Sequence, residues 1–246
     1  MSRWLFDLGN TRLKAAPVDA RGRVGEVLAI AHDGDAFAAC WDAALPARIE
    51  SAAVASVAPA PLRVALLDAL AARGARISLA RTLPGLDGVR IAYALPERLG
   101  VDRFLALLGA RARGAGPWLL VGVGTALTVD LLDADGRHRG GRIAPSPALM
   151  RQALHARAPH LPAAGGDYAE FAADTADALA SGCDGAALAL VERSRAEARA
   201  LLGRAPAVLV HGGGAQALLD LSAEAVAAPS LVLEGLARWL RMEETG

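Results

Sequence analysis

The sequence predicts an α/β fold built from two similar domains, each a mixed sheet with flanking helices. Two observations carry this. Short apolar runs separated by Gly, Asn and Asp turns open the chain and give way to helix-length segments alternating with strands, the order of antiparallel strands followed by βαβ units. That opening then starts again after residue 117, with Thr11 matched by Thr125 and Asp19 by Asp133 at one common offset of 114. Self-similarity at a fixed offset is the mark of a duplicated unit.

Trp4-Leu5-Phe6 is the first apolar run, and Leu13, Ala15 and Pro17 alternate beyond Gly9-Asn10. Gly and Asn tolerate positive φ, so this reads as a tight hairpin. Asp19-Ala20-Arg21-Gly22-Arg23 is a second turn, leading to a strand at 27–30. A helix over 36–44, a strand over 52–57, a helix over 61–73 and a strand over 75–80 complete a βαβα pattern. A Pro/Gly loop at 83–89 precedes Ile91-Ala92-Tyr93 and a helix over 103–113. Gly114-Ala115-Gly116-Pro117 is the strongest linker signal in the chain. Strands at 118–123, 127–132 and 139–143 follow, separated by Gly124-Thr125 and by Asp133-Ala134-Asp135-Gly136-Arg137. The remainder alternates helices at 147–158 and 172–202 with a strand at 207–210, and closes with helical patterns over 231–243. The domains expected are 1–115 and 116–246.

Several function classes are excluded by composition. Formal net charge is zero and no basic stripe with interleaved aromatics occurs, so nucleic acid is not an implied partner. No uncharged apolar run reaches 18 residues, which argues against a membrane span. The N-terminus meets Asp7 too early for a signal peptide, so a cytoplasmic protein is expected. Cys40 and Cys183 stand outside any CxxC pattern and read as small core residues. The five histidines form no metal-ligand set, and no GxSxG elbow occurs.

The residues that point to chemistry cluster at the first turn. Asn10 is the only asparagine and Lys14 the only lysine; every other basic residue is arginine. Two residue types otherwise absent, four apart in one turn, mark that turn. Backbone N–H groups at Gly9-Asn10 and the Thr11 hydroxyl form an anion-binding concavity. Lys14 adds charge for phosphate oxygens, and Asp7 is placed to hold Mg²⁺. Gly124-Thr125-Ala126 is the second candidate phosphate loop, so that two loops, one per half, would grip a nucleotide. Asp102 fits a helix N-cap on spacing alone, with Arg103 facing solvent. His211-Gly212-Gly213-Gly214 suits close approach of backbone to a base or ribose, or a plain strand-to-helix turn.

Together these motifs resemble the type III pantothenate kinase family, of the acetate and sugar kinase/Hsp70/actin superfamily. Asp7-Leu8-Gly9-Asn10-Thr11 with Lys14 is similar to DxGNTxxK, Gly100-Val101-Asp102-Arg103 to GxDR, Gly122–Asp130 to DxGTAxTxD, and Gly140–Ser146 to GGxIxPG. The resemblance implies duplicated ribonuclease-H-like (actin-like ATPase) domains and ATP-dependent phosphorylation of pantothenate, the first step toward coenzyme A. It implies ATP contacts from Asp7, Leu8, Gly9, Asn10, Thr11, Arg12, Leu13, Lys14 and Thr125, and Mg²⁺ at Asp7. It further implies Asp102 as general base, a pantothenate pocket of Tyr93, Gly100, Val101, Asp102, Arg103 and Thr175, and a homodimer whose interface lies in the second domain. Two positions depart from the pattern. Gly122 replaces the Asp associated with the family's activating K⁺ or NH₄⁺, and Ser146 replaces the last Gly of the interface motif. The alternative implied by the first departure is a non-catalytic, nucleotide-binding regulatory protein of the same fold.

Overall fold

The computed structural model describes residues 2–245. β1 (Arg3–Leu8) and β2 (Arg12–Pro17) form the expected antiparallel hairpin, and β3 (Leu28–Ala31) extends it. β4 (Ser51–Ser56) pairs parallel with β1, and β5 (Arg76–Leu79) parallel with β4, giving the order β3-β2-β1-β4-β5. The crossover from β4 to β5 is α1 (Ala60–Ala72), with Pro61 near its start, where a missing N–H costs nothing. Leu62, Leu66 and Leu70 recur four apart, so one stripe of α1 is buried against Phe6, Leu8, Leu13 and Val54 of the sheet. A two-residue-stranded hairpin, β6 (Gly85–Leu86) and β7 (Val89–Arg90), precedes α2 (Val101–Ala112).

A second sheet repeats the plan. β8 (Trp118–Val123), β9 (Ala126–Leu132) and β10 (His138–Pro145) are antiparallel. After α3 (Pro147–Arg157) and α4 (Thr175–Leu202), β11 (Ala207–His211) pairs parallel with β8. α5 (Ala215–Leu221) leads to β12 (Ala225–Ala227), parallel to β11, and the order is β10-β9-β8-β11-β12. Strand for strand this is the topology of the first sheet. Its core gathers Leu119, Val121, Val123, Leu127, Val129, Val208 and Val210 beneath Ala187 and Val191 of α4.

The duplicated turn matches at atomic detail. Asp19 Oδ1 accepts from Arg21 N at 2.8 Å and Arg23 N at 2.9 Å; Asp133 Oδ1 accepts from Asp135 N at 3.0 Å and Arg137 N at 2.8 Å. Gly22 and Gly136 take φ of 80° and 78°, a conformation that favours glycine at both positions.

The chain forms two compact units, residues 1–114 with 230–246, and residues 115–229. The break at 114/115 falls in the linker signal. The last helix, α6 (Leu231–Thr245), belongs to the first unit, so a second domain of 116–246 is corrected at its C-terminal end. The reason is a close helix pair. A side chain added at Gly109 of α2 would strike the Leu231 carbonyl, and one at Gly235 of α6 the Leu105 carbonyl. Facing glycines let α2 and α6 approach backbone to backbone, which composition alone does not announce.

Two further expectations fail locally. The stretch 36–44 holds only a 3₁₀ turn, Trp41–Ala44, because Cys40 before it is left-handed (φ 57°) and His32 bridges Phe37. Cys40 is therefore exposed, and only Cys183 is a buried cysteine. β6, β7, α5 and β12 carry too few residues for a periodic signal and are additions to the sequence reading.

Candidate active site

In the first unit, hairpin register sets Asp7 directly opposite Lys14 and Leu8 opposite Leu13. Leu8 and Leu13 are buried, so period-two alternation sends Asp7 and Lys14 to the other face as one pair. The loop between the strands holds Gly9, Asn10 and Thr11, with Asn10, Thr11 and Arg12 exposed. It closes when Gly9 N donates to Arg12 O at 3.0 Å, and neither Gly9 nor Asn10 takes a positive φ. The left-handed turn expected there is corrected: the loop is wide enough to reverse without it.

Asp102 lies in the first turn of α2, but the N-cap is Gly100, which makes no side-chain cap bond. The N-cap assignment of Asp102 is thus corrected. A side chain at Gly100 would meet Asp102 Oδ1 at 2.6 Å, so Gly100 is the residue that leaves the carboxylate its place. Asp102 thus lies at the N-terminus of α2, where negative charge is favoured. Arg103 is buried rather than solvent-facing: its Nη1 donates to Tyr93 Oη at 3.3 Å, and the guanidinium lies 6.0 Å from the Tyr93 ring centroid. Thr82 Oγ1 donates to Leu99 O at 2.7 Å and ties down the approach to Gly100-Val101.

Asp7 and Asp102 belong to one electrostatic cluster. Loss of hydration raises the Asp7 carboxyl from 3.8 to about 6, the Asp102 charge adds to the rise, and Lys14 opposes both. A carboxylate held in this way lacks positive charge, and a divalent cation would supply it. Among the described residues no group of three or more His, Cys, Asp or Glu gathers as a metal cage. Mg²⁺ does not need one, because it binds through one or two carboxylates, waters and substrate phosphates. Asp7 fits that use.

In the second unit, Gly124-Thr125 turns β8 into β9, with Thr125 exposed and Gly124 N donating to Ala126 O at 2.9 Å. His211-Gly212-Gly213-Gly214 folds against this turn. Gly214 N donates to Val123 O at 3.0 Å, and a side chain at Gly212 would run into the Val123 backbone. Gly122 pairs with Thr128 on one side and His211 on the other. Thr175 is the exposed first residue of α4, capped by Asp174, whose Oδ1 accepts from Ala176 N at 2.8 Å. The structure thus brings Asp7, Lys14 and Asp102 together, pairs Arg103 with Tyr93 next to Asp102 in the chain, and places Thr125 and Thr175 on the other unit.

Sequence reasoning passed over His32 in the first unit. It bonds the Gly9-to-Thr11 loop through side chain and backbone, and its place 23 residues after Gly9, outside any motif, gave no signal.

A family model described as type III pantothenate kinase matches residues 4–197. Curated relatives named type III pantothenate kinase include one from Stenotrophomonas maltophilia (strain K279a), 59% identical over all of both chains. Another, from Xanthomonas campestris pv. campestris (strain B100), is 57% identical over 97% of each. Among solved structures, a conserved Baf family transcriptional activator from Campylobacter jejuni aligns with TM-score 0.65 at 19% identity, covering 99% of this chain and 100% of that one. A 2-dehydro-3-deoxygalactonokinase structure from Sinorhizobium meliloti gives TM-score 0.58 at 19% identity, covering 98% and 99%. At such identities the likeness is one of fold, the duplicated ribonuclease-H-like arrangement of actin-like ATPases.

Proposed function

Because the chain belongs to the type III pantothenate kinase family, we propose that it transfers the γ-phosphate of ATP to the pantothenate hydroxyl, with Asp102 as general base. The observation that carries the residue assignment is the Asp7–Lys14–Asp102 cluster beside the Gly9–Thr11 loop. Asp102 takes the hydroxyl proton; the freed oxygen bonds to the γ-phosphorus, and the bond to the bridging oxygen breaks to release ADP. Such transfer needs positioning and charge neutralisation more than covalent chemistry. Gly9, Asn10 and Thr11 cradle phosphates, Lys14 meets their charge, and Leu8, Arg12 and Leu13 hold the hairpin around them. Thr125 contributes from the second loop. Mg²⁺ bound with ATP offsets phosphate charge, and Asp7 is the residue that would hold it. Gly100, Val101, Arg103 and Tyr93 line the pantothenate side, joined by Thr175 from a second copy of the chain.

The monovalent cation implied by the family pattern does not fit. A Cβ at Gly122 would lie 2.6 Å from Thr128 Oγ1 and 3.1 Å from the His211 ring, so imidazole and hydroxyl fill the space an Asp side chain would need. On this reading no carboxylate is available at position 122 for K⁺ or NH₄⁺, and turnover is expected without either. A homodimer suits the second unit, where Ile143 on edge strand β10 is 66% exposed and Phe171 99%. Apolar side chains at an open edge favour association. No helix among the described residues is long and apolar enough to cross a membrane, and a cytoplasmic site of action follows from the substrates.

The test is ADP release from MgATP with pantothenate and a panel of small hydroxy acids, in tetramethylammonium buffer with and without K⁺ or NH₄⁺. Pantothenate should be the best acceptor, with rates equal within about twofold across cations. Absence of turnover under every condition would favour the non-catalytic alternative, which the curated relatives named above do not support. Strong K⁺ activation would restore the cation site.

A further inference from the structure

We infer that His32 is a positioning residue that aims the first phosphate loop, an inference resting on the reading of Gly9–Thr11 as the ATP-phosphate cradle. Three bonds define its role. Gly34 N donates to His32 Nδ1 at 3.1 Å, so Nδ1 carries a lone pair and the ring proton sits on Nε2. Nε2 then donates to Gly9 O at 2.9 Å. The His32 backbone N donates to Thr11 O at 3.3 Å. One residue thus grips the carbonyls at both ends of the loop.

The consequence follows from peptide geometry. A trans peptide is planar, with C=O and the next N–H pointing in opposite directions. Fixing the Gly9 carbonyl toward His32 turns the Asn10 N–H away from it, and fixing the Thr11 carbonyl does the same for the Arg12 N–H. Free to rotate, an exposed peptide plane would spread these donors over many directions. An anion cradle works when its donors are preset, because ordering them at binding would lower affinity.

The ring is itself held in place. Phe37 meets it edge-on, with centroids 5.6 Å apart, and Phe37 stacks on Trp41 at 4.1 Å. Phe37 and Trp41 pack against the first core, so an aromatic chain runs from that core to the loop. This accounts for the stretch 36–44, where the left-handed Cys40 interrupts a helix and the aromatics are used as a buttress.

The test compares His32→Phe, which keeps the aromatic contact and loses the donor, with His32→Gln, which keeps an N–H donor on a side chain of similar reach. KM for ATP and for pantothenate and kcat are measured, with ATP affinity by calorimetry. His32→Phe should raise KM and Kd for ATP by about tenfold, the scale of one lost loop-orienting hydrogen bond, and leave KM for pantothenate within about twofold. His32→Gln should recover at least half of that loss on a logarithmic scale. Unchanged ATP affinity in His32→Phe, equal loss for both substrates, or no recovery in His32→Gln would each overturn the assignment. If the wild type binds ATP but does not phosphorylate pantothenate, the kinase reading fails alone, and the calorimetric comparison still decides the role of His32. A wild type that binds no ATP overturns both.

Discussion

The two hairpins, β1–β2 and β8–β9, are the same device used twice, and they differ where chemistry is at stake. In the first, the pair beside the closing Leu8–Leu13 step is Asp7 opposite Lys14; in the second, the pair beside Val123–Leu127 is Gly122 opposite Thr128. The parallel neighbours are exchanged in size as well. Asp7 sits beside Ala55 of β4, whereas Gly122 sits beside His211 of β11. One sheet puts a carboxylate on its first strand and a methyl on its fourth, and the other puts glycine on its first and an imidazole on its fourth. Duplication kept the topology and the Asp–Gly turn, and concentrated opposite charges in one copy. The second hairpin has no charged pair at its base, whereas the first carries Asp7 and Lys14, the residues proposed for metal and phosphate charge.

Substitutions can break this contrast. Lys14→Ala should lower kcat/KM for ATP by ~10–100-fold, the range for a lost charge-assisted bond, while Thr128→Ala at the twin position should stay within about threefold. Lys14→Arg should also fall, by ~10-fold, since a planar fork replaces a compact ammonium opposite Asp7. Steady-state kinetics with ATP varied decides both, and equal losses at Lys14 and Thr128 would erase the asymmetry. Gly100→Ala drives a methyl into the Asp102 carboxylate, and kcat should drop by about tenfold with ATP affinity intact, because small misplacements of a reacting group are costly.

The smallest effect is on stability. The Asp7 carboxyl is raised to about 6 when folded, so the folded form binds its proton more tightly than the unfolded chain. That stability is present below about pH 4 and is lost as pH rises through 6. The difference at neutral pH is about 2–3 kcal/mol. Asp7→Asn should therefore raise the Tm of the ligand-free protein by about 2–5 °C at pH 7.5 and give no gain at pH 4, while turnover falls. A lower Tm at pH 7.5 would show that Asp7 is already compensated by its surroundings.

Much of this was legible in the chain. Turn residues and alternation placed both hairpins, and the offset shared by Thr11/Thr125 and Asp19/Asp133 exposed the duplication. The lone Asn10 and Lys14 marked the loop. What stayed hidden depends on contacts distant in sequence. The return of α6 to the first unit rests on Gly109 meeting Leu231 and Gly235 meeting Leu105. The burial of Arg103 needs Tyr93 ten residues earlier, and the grip of His32 on Gly9 spans 23. Asp102 looked like a cap because sequence shows that an acid precedes a helix, and cannot show that Gly100 occupies the cap position.

In the proposed reaction Asp102, beside Asp7 and the first loop, activates the pantothenate hydroxyl. The most direct test is a single-turnover experiment with enzyme in excess over γ-labelled MgATP, following label into phosphorylated pantothenate for wild type and Asp102→Asn. Rapid transfer by the wild type without K⁺ is expected, with transfer ~10²–10⁴-fold slower in the variant at unchanged ATP affinity, the range for loss of a general base. Transfer by Asp102→Asn within about threefold of wild type would contradict it.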